Sequence, residues 1–334
     1  MIDAPNKWNM RLEKDSLHTK NLKLYILRRQ FLRLILSFFV LFIIVGLSFI
    51  ILFPFIRLIP SVFNVFEDLG NPNIVWVPDR FSTVSFDAAK RYMELMSGNT
   101  IWMLIGQSLL YAFSIAVIQT FMSAMAGYSF ARIDFKGSKL LFALVIITFV
   151  VPPQALLISQ YLRFSDLGLI NRPLTLYILA IFGFGVKQSL FIFIFRQFFV
   201  NVPKELEEAA RVDGCGFYRT YFSIILPNAI PAIMTVMVFS FVWNYGDTYY
   251  TGFFHSDGPY IASLLRKIFS PEQENIQFLS RSVQTWYSFR QYTNFTFDAI
   301  KQAALIISIV PLLTIYFIVQ RKFVQSFERS GIVG

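Results

Sequence analysis

Few residues in this chain have the types that covalent chemistry needs, and none has the spacing. Cys215 is its one cysteine, and His18 and His255 are its two histidines, far apart. That excludes an internal disulfide, a cysteine metal cluster and a histidine dyad. An intramembrane hydrolase or transferase needs a nucleophile paired with a base, or carboxylates gathered within the apolar segments. Here the carboxylates avoid the centres of those segments. No Gly-x-x-x-x-Gly-Lys-Ser/Thr loop occurs, so ATP is not bound by that route. The residues whose types and spacing suggest work are polar and mechanical. They run from Pro203 to Gly216, with Ile225, Leu226 and Pro227 following, between two long apolar stretches.

The elements that must position this segment are membrane helices. The chain has 334 residues, 55% of them hydrophobic and only 15% charged, with a mean hydropathy of +0.55. A soluble domain carries roughly 25% charged residues. Six stretches reach the length of about 20 apolar residues that a spanning helix requires: 34–56, 102–131, 140–161, 174–199, 223–246 and 299–320. The first is too long for a signal-peptide core and no small-residue cleavage site follows it, so it reads as a retained span. With the N-terminus inside, the inside segments hold 18 of the 30 Lys and Arg in the shorter share of the loops. The net charge of +10 therefore reads as orientation by the positive-inside rule, not as nucleic-acid binding. The expectation is an all-α polytopic protein with six transmembrane helices and both termini cytoplasmic. It divides into a tail (1–33), a first span (34–56), an outside loop (57–100), a five-helix core (101–322) and a C-terminal tail (323–334). The core includes an inside loop at 200–222 and an outside loop at 247–298.

Within the inside loop, Asn201 and Pro203 suit the start of a helix. Glu205, Glu207 and Glu208 complement its dipole. Leu206, Ala209 and Ala210 fall at i, i+3 and i+4 and are expected to form a shallow apolar face. Gly214 permits a left-handed reversal. Phe217, Tyr221, Phe222 and Ile225 then recur at helical spacing, and Pro227 marks the start of the fifth span. Read by itself, such a helix could equally lie on lipid headgroups.

The order Glu208-Ala209-Ala210, Asp213-Gly214 and Leu226-Pro227 resembles the signature of ABC importer permeases. Other segments resemble the family in order: Ala126 to Gly137, Val151-Pro152, Leu167 to Asn171, Arg196 to Phe199 and Trp243-Asn244. Pro311, Gln320, Lys322 to Val324 and Gly331 to Gly334 resemble its carbohydrate-uptake subgroup, and within it the second permease of maltose transporters. The resemblance implies that residues 203–214 are a coupling helix that docks on a separate ATPase. Glu208 would hold it by polar contacts, Ala209 and Ala210 would allow close approach, and Gly214 would shape the turn. It further implies ATPase subunits, a second homologous permease as a heterodimer partner, an extracytoplasmic solute-binding protein and a carbohydrate substrate. No catalytic residue, metal, cofactor or nucleic acid is implied, and the location is the cell membrane of a prokaryote. Cys215 stands where the family usually has alanine, and Val333 where its tail usually has lysine.

For the pore, Lys187 lies about midway along the fourth span, where a charge is unfavourable unless paired or hydrated. Gly183 and Gly185 would let the helix there be irregular, and the side chain could snorkel instead. Gln188 and Asn244, with Gln107, Gln119 and Gln154, could bond a sugar hydroxyl or bind helices to one another. Pro152-Pro153 would kink the third span. The alternatives to a sugar permease are a permease for another solute and a membrane scaffold without transport.

Overall fold

A computed structural model describes residues 7–71, 76–152, 154–270, 273–287 and 294–330. Its helices are α1 (Lys7–Val62), α2 (Val84–Ser97), α3 (Ile101–Arg132), α4 (Ser138–Val150), α5 (Gln154–Asp166), α6 (Pro173–Ile181) and α7 (Gln188–Asn201). They continue with α8 (Glu205–Val212), α9 (Phe217–Thr220), α10 (Leu226–Asn228), α11 (Ile230–Tyr245) and α12 (Tyr250–Phe254). The last three are α13 (Ile261–Phe269), α14 (Gln273–Tyr287) and α15 (Asn294–Ser330). One antiparallel bridge, Asn64 with Phe81, is the sole β pairing among the described residues.

The chain forms two compact units. The first holds residues 1–61 and 71–79. It is dominated by α1, a single helix that runs from the expected tail through the expected first span. Pro54 and Pro60 lie within α1. Trp76 packs edge-on against Phe53, with ring centroids 6.1 Å apart.

The second unit, residues 62–70 and 80–334, is organised around α3. Ser108, Tyr111, Ala112, Ile115, Ala116, Gln119, Ser123, Ala124 and Gly127 recur every three or four residues and are buried. Small residues dominate this face, as close helix packing in a membrane requires. The face meets α7 and α11. A Cβ at Gly127 would fall 2.6 Å from Phe195 Cβ and 2.9 Å from the Arg196 nitrogen, so only glycine permits this approach of α3 to α7. Around the contact, Tyr128, Phe191, Phe195, Phe199, Tyr221 and Ile225 form one core. A second core gathers Tyr111, Ile115, Leu176, Leu179, Phe254 and Tyr260. The opposite side of α3 exposes Trp102, Leu110, Phe113 and Phe121, as expected of a lipid-facing or subunit-facing side.

Among the described residues, three helices are long and apolar enough to cross a membrane: Arg28–Val62, Ile101–Arg132 and Asn294–Ile318. Two bent pairs bring the number to as many as five. Residues 138–150 and 155–166 meet at 102°, and 217–228 and 230–245 meet at 76°. The first bend lies at Pro152; Pro153 is outside the described residues. The expected fourth span, 174–199, is not one helix. It stops at Ile181 and restarts at Gln188, with Gly183 (φ 86°) and Lys187 (φ 55°) both left-handed. Gly331 to Gly334 also lie outside the described residues.

Candidate functional site

The polar segment folds as the sequence leads one to expect at its end and differently at its start. α7 runs through Asn201, so Asn201 closes that helix and does not cap the next. Lys204 precedes α8 with a helical backbone and no side-chain cap. At the other end, the Gly214 N–H donates to Arg211 O (3.0 Å) and the Cys215 N–H to Ala210 O (2.9 Å). With Gly214 at φ 78°, this pair of bonds is a Schellman termination. Nothing lies within 4 Å of a Cβ built on Gly214, so the demand for glycine is one of backbone conformation and not of space.

α8 is strongly two-faced, but its faces are not those expected. Ala210 is buried (3% exposed), and so is Glu207 (8%). Leu206, Glu208, Ala209, Val212 and Asp213 are exposed, Val212 by 87%. Leu206 and Ala209 therefore flank the buried side that Ala210 and Glu207 form and stay uncovered. The inward face is fixed by an ion pair, with Arg132 Nε 3.2 Å from Glu207 Oε1 and the two side chains only 5% and 10% exposed. The pair is at ion-pair distance, yet neither atom is aligned for a hydrogen bond. Arg132 also donates through Nη2 to Val202 O. The end of α3 thus grips both the start of the segment and its helix. Sequence reasoning gave Glu207 only a dipole role and Arg132 none. The available signal was an arginine ending a span and a glutamate one helical turn before a buried alanine.

Beyond Gly214, α9 leads through a π-helical turn (Tyr221–Ile225) into α10, where Pro227 occupies the first turn. Tyr221 and Ile225 enter the core, and Leu226 packs against it. Ala229 breaks the helix before α11 begins. This connection ties the segment to α11 as Arg132 ties it to α3. Phe217 and Tyr218 on α9 are exposed, and the Phe217 ring lies 6.0 Å from that of Tyr128.

The pore candidates cluster about the break between α6 and α7. Gln188 is buried and its amide spans the break: Nε2 donates to Ala180 O (2.7 Å), and Oε1 accepts from the Gly185 N–H (3.0 Å). Asn244 is buried on α11, and its Nδ2 donates to Gln119 Oε1 (2.9 Å) and to Ser240 O (2.7 Å). Ser240 Oγ also donates to Gln119 Oε1 (2.5 Å). These bonds bind α3 to α11, the packing role that was one of the two alternatives for these amides. Lys187 differs from both. It is exposed, forms the residue before α7, and sets its Nζ 5.8 Å from the centre of the Phe149 ring. Gln107 and Gln119 lie on α3, and Gln154 begins α5. Among the described residues no group of three or more His, Cys, Asp or Glu could hold a metal ion.

Outside the expected spans, Asp247 follows α11 and accepts hydrogen bonds from the backbone of Tyr249 (3.2 Å) and Thr251 (3.1 Å). Burial nevertheless pushes its carboxyl up to about 6. In the same loop burial holds the His255 imidazole below its usual range. At 57–100, the Arg80 guanidinium beside Asp68 (2.7 Å) lowers that carboxyl.

Residues 119–329, more than half of the chain, match the family of binding-protein-dependent transport system inner membrane components. A maltodextrin transport system permease protein of Bacillus subtilis is 28% identical over 289 residues, covering 86% of this chain and 93% of that protein. A polygalacturonan/rhamnogalacturonan transport system permease protein of the same organism is 29% identical over 292 residues, covering 84% and 92%. Among solved structures, a chain of a bacterial ABC transporter involved in the import of the acidic polysaccharide alginate superposes with a TM-score of 0.64. That match covers 85% of this chain and 95% of the other at 17% identity, a likeness of fold.

Proposed function

Since this chain belongs to the family of binding-protein-dependent transport system inner membrane components, we propose that it is a permease subunit of an ATP-driven carbohydrate importer. The observation that carries the reading is α8, held rigidly on one face by Arg132 and Glu207 while Leu206, Ala209 and Val212 stay uncovered. An apolar patch with a charged border on a fixed helix suits docking into a groove of a partner. The partner we assign is a separate ATPase subunit. Glu208, exposed beside that patch, supplies a polar contact at its rim.

A push on α8 has two outlets. One runs through the ion pair into α3, the other through the π turn into α11. α3 and α11 are the helices joined by Gln119, Ser240 and Asn244. Movement of the docked helix thereby reaches the centre of the bundle as a rigid-body shift, the kind of two-state rearrangement that alternating access needs.

In this reading the chain crosses the cell membrane of a prokaryote six times, with the third, fourth and fifth crossings broken and both termini in the cytoplasm. A second, homologous permease completes the pore, and a solute-binding protein delivers the substrate from outside. The relatives named for maltodextrin and for polygalacturonan or rhamnogalacturonan support an oligosaccharide as the cargo. The test is gentle purification of the tagged chain from its native membrane, with mass spectrometry and sugar-uptake assays on the recovered complex. Recovery of an ATPase and a second permease, with ATP-dependent oligosaccharide uptake, is expected. Recovery of the chain alone after mild crosslinking would remove the importer reading.

A further inference from the structure

Between Asp15 and Glu67 the chain holds no acidic residue, yet Lys20, Lys23, Arg28, Arg29 and Arg33 all fall there, ahead of the apolar run 34–56. That run carries no charge. As a helix it measures about 34 Å, close to the roughly 30 Å of a bilayer's hydrocarbon core. α1 passes from the cations into the run as one helix, so its register fixes both their depth and the side on which each stands.

Depth comes first. At a rise of 1.5 Å per residue, Arg33 lies about 2 Å before the apolar run, Arg29 and Arg28 about 8 and 9 Å, and Lys23 about 17 Å. A headgroup layer is roughly 5–8 Å thick, and attraction to an anionic surface reaches about a further 10 Å. The three arginines thus stand at the headgroups, Lys23 stands within reach of them, and Lys20 marks the limit. Arg28, Arg29 and Arg33 are exposed, and no ion pair among the described residues includes them. The acidic residue nearest to them along the helix, Asp15, lies 13 positions before Arg28, or about 20 Å. In the span that follows, no residue of the most apolar stretch is buried.

Direction is the second, independent observation. Successive residues of an α-helix are turned by about 100°, so Lys20 and Arg29 stand about 180° apart, and Arg28 and Arg33 about 140°. Lys23 and Arg28 are also about 140° apart. The five positions therefore surround the helix and share no face. A folded partner meets a helix from one side and would leave part of this ring unmatched. Lipid headgroups meet it from every side, at the depth where the arginines stand.

We propose that Lys20, Lys23, Arg28, Arg29 and Arg33 form a collar that binds the headgroup phosphates of anionic phospholipids around α1. The proposal rests on α1 being a membrane span and is independent of the cargo carried. It goes beyond orientation, because an orienting charge needs only to stay on one side of the membrane, whereas a collar holds a shell of selected lipids. An acidic flank of an ATPase subunit is the competing partner, and the one-sidedness of its contact separates the two.

The test titrates the full chain in a neutral detergent with phosphatidylglycerol and, separately, with phosphatidylcholine, reading bound lipid by native mass spectrometry. Apolar contact with α1 is common to both lipids, so the ratio of their affinities isolates the headgroup charge. Arg28→Gln, Arg29→Gln and Arg33→Gln are each expected to lower phosphatidylglycerol affinity roughly fivefold, and the triple variant on the order of a hundredfold. Phosphatidylcholine binding should stay within about twofold, and the triple Arg→Lys variant should keep most of the preference. Unchanged phosphatidylglycerol affinity in the triple Gln variant would overturn the collar. Equal loss for both lipids would assign the effect to packing and overturn it too. A loss confined to Arg29 and Arg33, with Arg28→Gln unaffected, would show a one-sided contact and favour a protein partner instead. Orientation is checked on Cys215, the one cysteine of the chain, with an impermeant maleimide on intact spheroplasts. Labelling of wild-type Cys215 before lysis would remove the inside placement of the loop at 200–222, whereas the lipid titration alone decides the collar.

Discussion

Gly214 offers the sharpest test of the cytoplasmic helix, because its structure separates two explanations that usually travel together. Its φ of 78° lies in the left-handed region, yet no atom lies within 4 Å of an added Cβ. Substitution should therefore act through backbone conformation alone. Placing an ordinary L-residue in this region costs roughly 1–2 kcal/mol, and a β-branched one costs more, of order 3 kcal/mol. Asparagine visits the region readily. At about 1.4 kcal/mol per factor of ten, Gly214→Ala should leave the Schellman turn populated about 5–30-fold less favourably, and Gly214→Val on the order of 100-fold. Uptake in whole cells should then fall in the order Gly, Asn, Ala, Val, with Gly214→Val close to inactive. Membrane insertion, measured by immunoblot of the membrane fraction, should be unchanged throughout. Wild-type uptake in Gly214→Val would refute the role of the turn. Asparagine as damaging as valine would show that space, not φ, is what glycine provides.

Three further predictions test the parts that hold this helix and the bundle. Removing one member of the Arg132–Glu207 pair leaves a buried charge, so Arg132→Met or Glu207→Leu should each destabilise the detergent-solubilised protein by about 3 kcal/mol, and the double variant should recover part of that; thermal unfolding of all four proteins decides it, and additive losses would argue against the pair. Gly127→Ala should separate α3 from α7 and destabilise by about 1–3 kcal/mol, lowering the unfolding midpoint; an unchanged midpoint would mean that the helices are not in close contact there. Asp247 has a folded-state pKa of about 6, above the ordinary 3.8, so the folded state binds the proton more tightly and stability falls as pH rises between those values. Asp247→Asn should then match wild type near pH 4 and be more stable by about 1–2 kcal/mol above pH 6, allowing for the partial exposure of the side chain; a gain that is the same at both pH values would point to the lost hydrogen bonds instead.

Much of this protein is legible in its residues. Apolar runs at 102–131 and 299–320 become long helices because chain in lipid must satisfy its own backbone, whatever packs against it. Gly214 announces its turn for a similar reason, since the left-handed conformation is a local property of one residue and its neighbours. What the sequence leaves open are matters of partner and direction. Leu206, Ala209 and Ala210 read as one face, but α8 buries Ala210 with Glu207 because Arg132, 75 positions away, supplies the matching charge. Residues 174–199 read as a single span because hydropathy sums side chains and is blind to a break in the backbone. The interruption at 182–187 is held by the Gln188 amide bonding Ala180 and Gly185, which turns Lys187 from a mid-helix charge into the head of a new helix. The Gln119 tie to Ser240 and Asn244 joins residues more than 120 positions apart. Local rules of backbone and solvation thus act within a few residues and can be read directly. The direction of each polar group depends on which distant group arrives to meet it, and only the tertiary structure decides that.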